Sequence, residues 1–175
     1  MEDGDGLWGE CTPEEEERYR AIVRDRVENS PYYDHMCLEV AELGSGRATL
    51  RMTVGPHLWN LGGIVHGGAI TSIADAGAGV ALATLLDKDA ERPVTIEIKV
   101  NFCSPVREGV MVARGTVLHK GSRIAVCEVD VTDGREKLVA KGMATYMIAV
   151  VPGRGGGARP ADAQAADTSQ KSEVQ

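Results

Sequence analysis

Residues 57–86, HLWNLGGIVHGGAITSIADAGAGVALATLL, join a glycine-rich loop to a run with helical periodicity. Ile70, Ile73, Gly77, Val80, Ala81 and Thr84 recur at the spacing that lines one side of a helix. A step of about 100° per residue gathers Gly68, Thr71, Ser72, Asp75, Gly79 and Leu82 on another side. Asp75 is the only charged residue between His57 and Asp87. A carboxylate in so apolar a segment is costly unless it is paired, solvated or used. An Asp on an exposed helix edge would satisfy the same sequence. The glycine-rich lead-in shifts the balance, because free backbone N–H groups at a helix start suit an anion or a developing oxyanion.

Gly67 and Asp75 are eight residues apart, which on a straight helix separates their backbones by about 12 Å along the axis. An Asp side chain cannot span that distance. If the Gly67 amide polarises a carbonyl that Asp75 attacks, or to which it directs water, the two groups come from different subunits. A composite site between two antiparallel helices, and hence an obligate homodimer, is the simplest arrangement.

The 175 residues suit one domain with tails. With 26 acidic and 19 basic residues the net charge is -7, which argues against nucleic acid as the main partner. Cysteines 11, 37, 103 and 127 show neither CxxC nor zinc-site spacing and read as reduced thiols. The acidic amino terminus lacks a secretory pattern, and no stretch approaches the roughly 20 apolar residues of a membrane span, so a cytoplasmic protein with no membrane partner is expected. Aromatic residues make up only 4% of the chain, so its core must be aliphatic.

Along the chain, residues 1–11 read as disordered and residues 12–151 as the domain. Thr12, Pro13 and Glu14 to Glu17 have the form of a cap, a first-turn proline and acids suited to the helix dipole. They predict a helix over about 13–29 that packs Tyr19, Ile22, Val23 and Val27 and stops at Ser30-Pro31. Cys37 to Leu43 and Arg47 to Val54 alternate around Gly44-Ser45-Gly46 as a hairpin. After the central helix, ending near Leu86, the period switches to two. Val94, Ile96, Ile98, Val100 and Phe102 then share one strand face, with Thr95, Glu97, Lys99, Asn101 and Cys103 on the other. Strands over Gly109 to His119, Ser122 to Thr132 and Lys137 to Val150 follow through short connections, predicting an antiparallel meander. Residues 152–175 are too poor in aliphatic side chains to offset their ordering entropy and read as a disordered tail.

A hairpin, a long central helix, then antiparallel strands wrapped around it is an α+β arrangement that resembles the hotdog fold, here with an additional N-terminal helix. Asn60-Leu61-Gly62-Gly63-Ile64-Val65-His66-Gly67-Gly68, followed by Asp75, resembles the signature N-x-x-G-x-x-H-G-G-x(6)-D of PaaI-type hotdog acyl-CoA thioesterases. Asn101, Phe102 and Pro105 resemble the family's strand end. The resemblance covers roughly residues 32–150.

It implies hydrolysis of an aromatic or medium- to long-chain acyl-CoA to free acid and CoA by a homodimer that pairs further into a tetramer, with no cofactor. Asp75 would be general base or nucleophile, the Gly67 amide would polarise the thioester carbonyl, and Asn60 and His66 would fix substrate or water. Thr95 matches an assisting hydroxyl, and Gly63 and Gly68 would border the substrate. A metal on His57 and His66 lacks a third ligand nearby. Lys99, Arg107, Lys120, Arg123 and Lys141 are candidates for gripping CoA phosphates, although solvated strand edges carry such residues anyway. Two rival readings are a non-catalytic acyl-CoA-binding module or sensor and a hotdog hydratase, the latter lacking its D-x(4)-H pairing after Asp75.

Overall fold

A computed structural model describes residues 7–150. Thr12 and Glu15 cap helix α1 (Pro13–Val23) reciprocally, each side chain accepting from the other's backbone N–H, at 3.2 and 2.9 Å. The helix continues as a π-helical turn over Arg24–Glu28, close to the expected stop. Pro31 does more than end it. It starts a second short helix, α2 (Pro31–Met36), which periodicity gave no reason to expect. Residues 1–6 and 151–175, which include the expected tail, lie outside the described residues. Residues 7–11, expected to be disordered, have partners: Leu7 accepts from the Leu43 N–H at 2.7 Å, and Trp8 packs on Tyr19 with ring centroids 5.7 Å apart.

Six strands follow: β1 (Leu38–Gly44), β2 (Arg47–Thr53), β3 (Glu91–Phe102), β4 (Val110–Lys120), β5 (Ile124–Asp133) and β6 (Leu138–Val150). They form one antiparallel sheet in the order β1-β2-β4-β5-β6-β3. The expected meander therefore holds only from β4 to β6. β3 lies at the far edge against β6, and the chain must cross back from it to begin β4 beside β2.

The central helix α3 (Gly67–Ala83) lies in the concavity of this sheet and contacts β2 to β6. Small residues allow the approach: a Cβ on Gly115 of β4 would strike the backbone of Gly77 and Ala78. Ile70, Ile73, Gly77, Val80 and Ala81 are buried as the helical stripe requires, with Thr84, the C-cap, buried beyond them. Leu82 is also fully buried in the core cluster, although helical spacing placed it beside Asp75. Leu50, Met52, Met111, Val129 and Val131 complete an aliphatic core from the sheet side.

One irregularity lies beside the functional residues. β3 pairs with β6 as Thr95 opposite Tyr146 and Glu97 opposite Thr145, so Ile96 is an extra residue in a β-bulge. The simple alternation expected for this strand is broken there. Ile98 and Val100 pack against the core, whereas Val94 and Ile96 are 42% and 56% exposed and Thr95 faces the helix.

Candidate active site

The loop before α3 is tied to itself and to the chain that follows β3. A bridge joins Trp59 to Val65, the Asn60 N–H donates to Ile64 O at 2.8 Å, and Asn60 Oδ1 accepts from the Gly62 N–H at 2.8 Å. Gly63 takes φ 68°, a left-handed conformation that favours glycine. Arg107 donates to Gly63 O at 3.1 Å, while its own carbonyl accepts from Trp59 Nε1 at 2.9 Å. These contacts give Asn60 a turn-forming role and recruit Arg107, one of the expected phosphate ligands, as a brace.

His66 is the N-cap of α3, and its Nδ1 accepts from the Gly68 N–H at 2.9 Å. That bond places the ring proton on Nε2. Gly67 opens the helix, and among the described residues no hydrogen bond from its N–H is found. An unengaged amide at the positive end of a 17-residue helix is a donor for a developing negative charge. The Phe102 ring covers Gly67, so closely that an added Cβ would stand 3.3 Å from it. Asn60, Ile64, Gly67, Phe102, Cys103 and Pro105 border a cavity of about 300 Å³.

Two turns further along α3, Asp75 is half-buried. Its Oδ1 accepts from Thr95 Oγ1 and from Tyr146 Oη, each at 2.9 Å, and Tyr146 Oη also lies 2.9 Å from the Asp75 carbonyl oxygen. Tyr146 is 2% exposed. Burial first, and then the neighbouring Asp75 carboxylate, raise the pKa of its phenol, which stays protonated and able to donate. Asp75, Tyr32, Tyr33, Arg26, Ile98 and Tyr146 border a second cavity of about 370 Å³. Tyr32 Oη donates to Ser72 Oγ at 2.6 Å, and Ser72 Oγ donates to Gly68 O at 2.9 Å.

The residues singled out in the sequence thus fall into two groups. Asn60 and Gly67 border one cavity, with Gly63, His66 and Gly68 beside them in the chain but not in its wall; Asp75 and Thr95 border the other. Sequence reasoning missed Tyr146, Tyr32, Tyr33 and Arg26. Tyr146 carried a weak signal, as the one aromatic residue in an otherwise small and aliphatic strand. Lys141, an expected phosphate ligand, is paired with Asp130 at 2.8 Å and Glu128 at 3.4 Å. Among the described residues no three His, Cys, Asp or Glu side chains cluster as a metal would need, and no helix is long and apolar enough to cross a membrane.

Comparison with known proteins agrees with this fold. Residues 62–140 match the thioesterase superfamily. A Saccharolobus solfataricus protein, named as a candidate esterase, is 32% identical over 133 residues, covering 76% of this chain and 94% of that protein. The structure of the conserved protein PA5202 from Pseudomonas aeruginosa is 38% identical, covers 69% of this chain and 94% of that one, and superposes with a TM-score of 0.66. The PaaI protein of the E. coli phenylacetic acid degradation operon, 20% identical, shares the fold over 78% of this chain and 96% of its own, with a TM-score of 0.69. The chain belongs to the thioesterase superfamily, as a thioester hydrolase of hotdog fold, the fold it shares with the PaaI protein.

Proposed function

We propose that the protein hydrolyses acyl-CoA thioesters to free acid and CoA at a site shared by two subunits. One subunit supplies Asp75, and the other supplies the Gly67 amide with Asn60 and His66. The observation that carries this reading is the separation of an unengaged Gly67 N–H from a firmly held Asp75 carboxylate along one helix. The Asp75 carboxylate and the Gly67 amide border different cavities, so neither cavity alone brings the two together. A second copy, docked with its α3 antiparallel, supplies the missing half.

The edge strand β3 supports this docking. Val94, Ile96 and Phe102 are exposed apolar side chains along an unpaired edge, a combination that folded proteins normally cover. Dimers of this kind pair further into tetramers in the assembly we propose, in a cytoplasmic setting.

The chemistry follows from the placement of donors. As the thioester carbonyl is attacked, negative charge grows on its oxygen, and a fixed backbone N–H stabilises that charge without rearranging. Both hydroxyl donors to Asp75 fall on Oδ1, which leaves Oδ2 to orient a water or to attack the carbonyl carbon. Thr95 and Tyr146 hold the carboxylate in place, and the CoA thiolate departs as it takes up a proton.

The test is a panel of acyl-CoAs followed by release of free thiol, beside Asp75→Asn. Turnover by the wild type and its loss in the variant are expected. Binding of acyl-CoA without turnover would instead mark a binding module. Mixing Asp75→Asn with Asn60→Ala subunits should restore one working site per heterodimer; no recovery after proven subunit exchange would refute the shared site.

A further inference from the structure

Among the described residues, the Asp75 cavity holds a phenol whose proton no protein acceptor takes up, beside a guanidinium that faces it. Tyr33 is 5% exposed, and its hydroxyl is fully covered without a partner in hydrogen-bonding geometry. The Arg26 guanidinium faces this phenol and opposes the upward pull of burial on its pKa, but burial dominates and the phenol stays neutral. Arg26 makes no ion pair among the described residues and is the only basic residue bordering the cavity. The hydroxyls of Thr95, Tyr146, Tyr32 and Ser72 are committed to protein acceptors, and Thr71 adds one further hydroxyl to the wall. Ala76, Gly79, Pro93 and Ile98 make much of the remaining wall apolar or small.

We infer that Arg26 and Tyr33 together read a carboxylate at the far end of the acyl group, making the preferred substrates ω-carboxyacyl-CoA thioesters. This inference rests on the hydrolase reading above and specifies its substrate class. A guanidinium presents several N–H groups in one plane and matches the two oxygens of a carboxylate, which a single hydroxyl does not. The phenol supplies one more donor to the same anion. A methylene chain between the carboxylate and the thioester would lie along the small and apolar wall, keeping the substrate's charge away from Asp75. The products are a dicarboxylic acid and CoA; water supplies the oxygen of the new carboxyl group, and the thiolate leaves with a proton.

The experiment compares matched pairs: adipoyl- with hexanoyl-CoA, suberoyl- with octanoyl-CoA, and 4-hydroxyphenylacetyl- with phenylacetyl-CoA. The kcat/KM ratio within each aliphatic pair should favour the carboxylated member by at least about tenfold, the low end for a charge-assisted contact. In Arg26→Gln the ratio should fall to about one, Arg26→Lys should keep part of it, and Tyr33→Phe should lower it. Because each variant is read as a ratio, general damage to folding cancels. Equal rates within the aliphatic pairs, a preference only for the hydroxylated aromatic, or a ratio that survives Arg26→Gln would overturn this inference while leaving the hydrolase reading intact. Failure to cleave any thioester would overturn the hydrolase reading itself.

Discussion

Tyr146 Oη stands 2.9 Å from Asp75 Oδ1 and 2.9 Å from that residue's own carbonyl oxygen. One buried phenol thus spans the side chain and the main chain of the acid in the middle of the central helix. Its single proton serves two acceptors, and Thr95 supplies a second donor to the same Oδ1.

Tyr146→Phe keeps the ring and removes only this link. A hydrogen bond to a charged group is worth about 1.5–3 kcal/mol, so kcat should fall by about tenfold to a hundredfold, with KM changed little. Thr95→Val should behave similarly, and Thr95→Ser should recover most of the loss. Steady-state kinetics on one acyl-CoA checks both; full activity in Tyr146→Phe would show that Asp75 needs no such clamp.

Gly67→Pro separates the amide from the fold. Proline suits the first position of a helix, and His66, at φ -64° and ψ 139°, already has the extended backbone a following proline demands. The helix should form, with the Phe102 ring yielding slightly, but the N–H is gone. Loss of an oxyanion donor costs about 10²–10³ in kcat. Gly67→Ala, which has a similar Cβ and retains the amide, is the control, and circular dichroism verifies the helix in both.

Gly115→Ala should damage the protein without touching the chemistry. The new methyl would lie 2.6 Å from the Gly77 carbonyl carbon and 2.9 Å from the Ala78 nitrogen, where no flexible side chain can yield. Overpacking of this kind costs about 1–3 kcal/mol or more. Thermal melts should show a clear loss for Gly115→Ala and almost none for Gly44→Ala, whose Cβ would meet nothing within 4 Å.

Cys127 is completely buried, and burial pushes its thiol from 9.0 up to about 11. Between those values the unfolded chain releases a proton that the native state keeps, so stability falls as pH rises. The contribution is complete below pH 9 and is lost towards pH 11, at no more than about 1.4 kcal/mol per pH unit. Denaturant titrations across that window should show a shallower decline in Cys127→Ala. At pH 8, a thiol reagent should label the exposed Cys37 and Cys103 in the native protein and reach Cys127 only after unfolding.

Much of this architecture was legible because apolar spacing dictates it. The hairpin, the central helix and the last three strands follow directly from period 3.6 or period 2. Two features escaped that reading for one reason: both depend on partners distant in sequence. β3 finds β6 rather than β4, and nothing in residues 91–102 names that partner. The bulge at Ile96 is equally silent, since strict alternation puts Thr95 on the face opposite Ile98 and away from the helix. Family resemblance pointed to Thr95 even so. His66 and Asn60 illustrate the converse, because their structural contacts as cap and turn are compatible with the chemical roles that the resemblance implies. Tyr146 carried only the weak signal of a lone aromatic in its strand, and Arg26 none, as each meets the site only through tertiary packing.

The hydrogen-bonded ladder between β3 and β6 does not count Ile96. A chain shortened by that one residue would still set Thr95 across from Tyr146, because the pairing on either side is already in phase. What would change is the curvature of the outer rim. The contour of this edge and the placing of the hydroxyl are therefore separately adjustable, and one residue gained or lost here reshapes the rim without disturbing the acid.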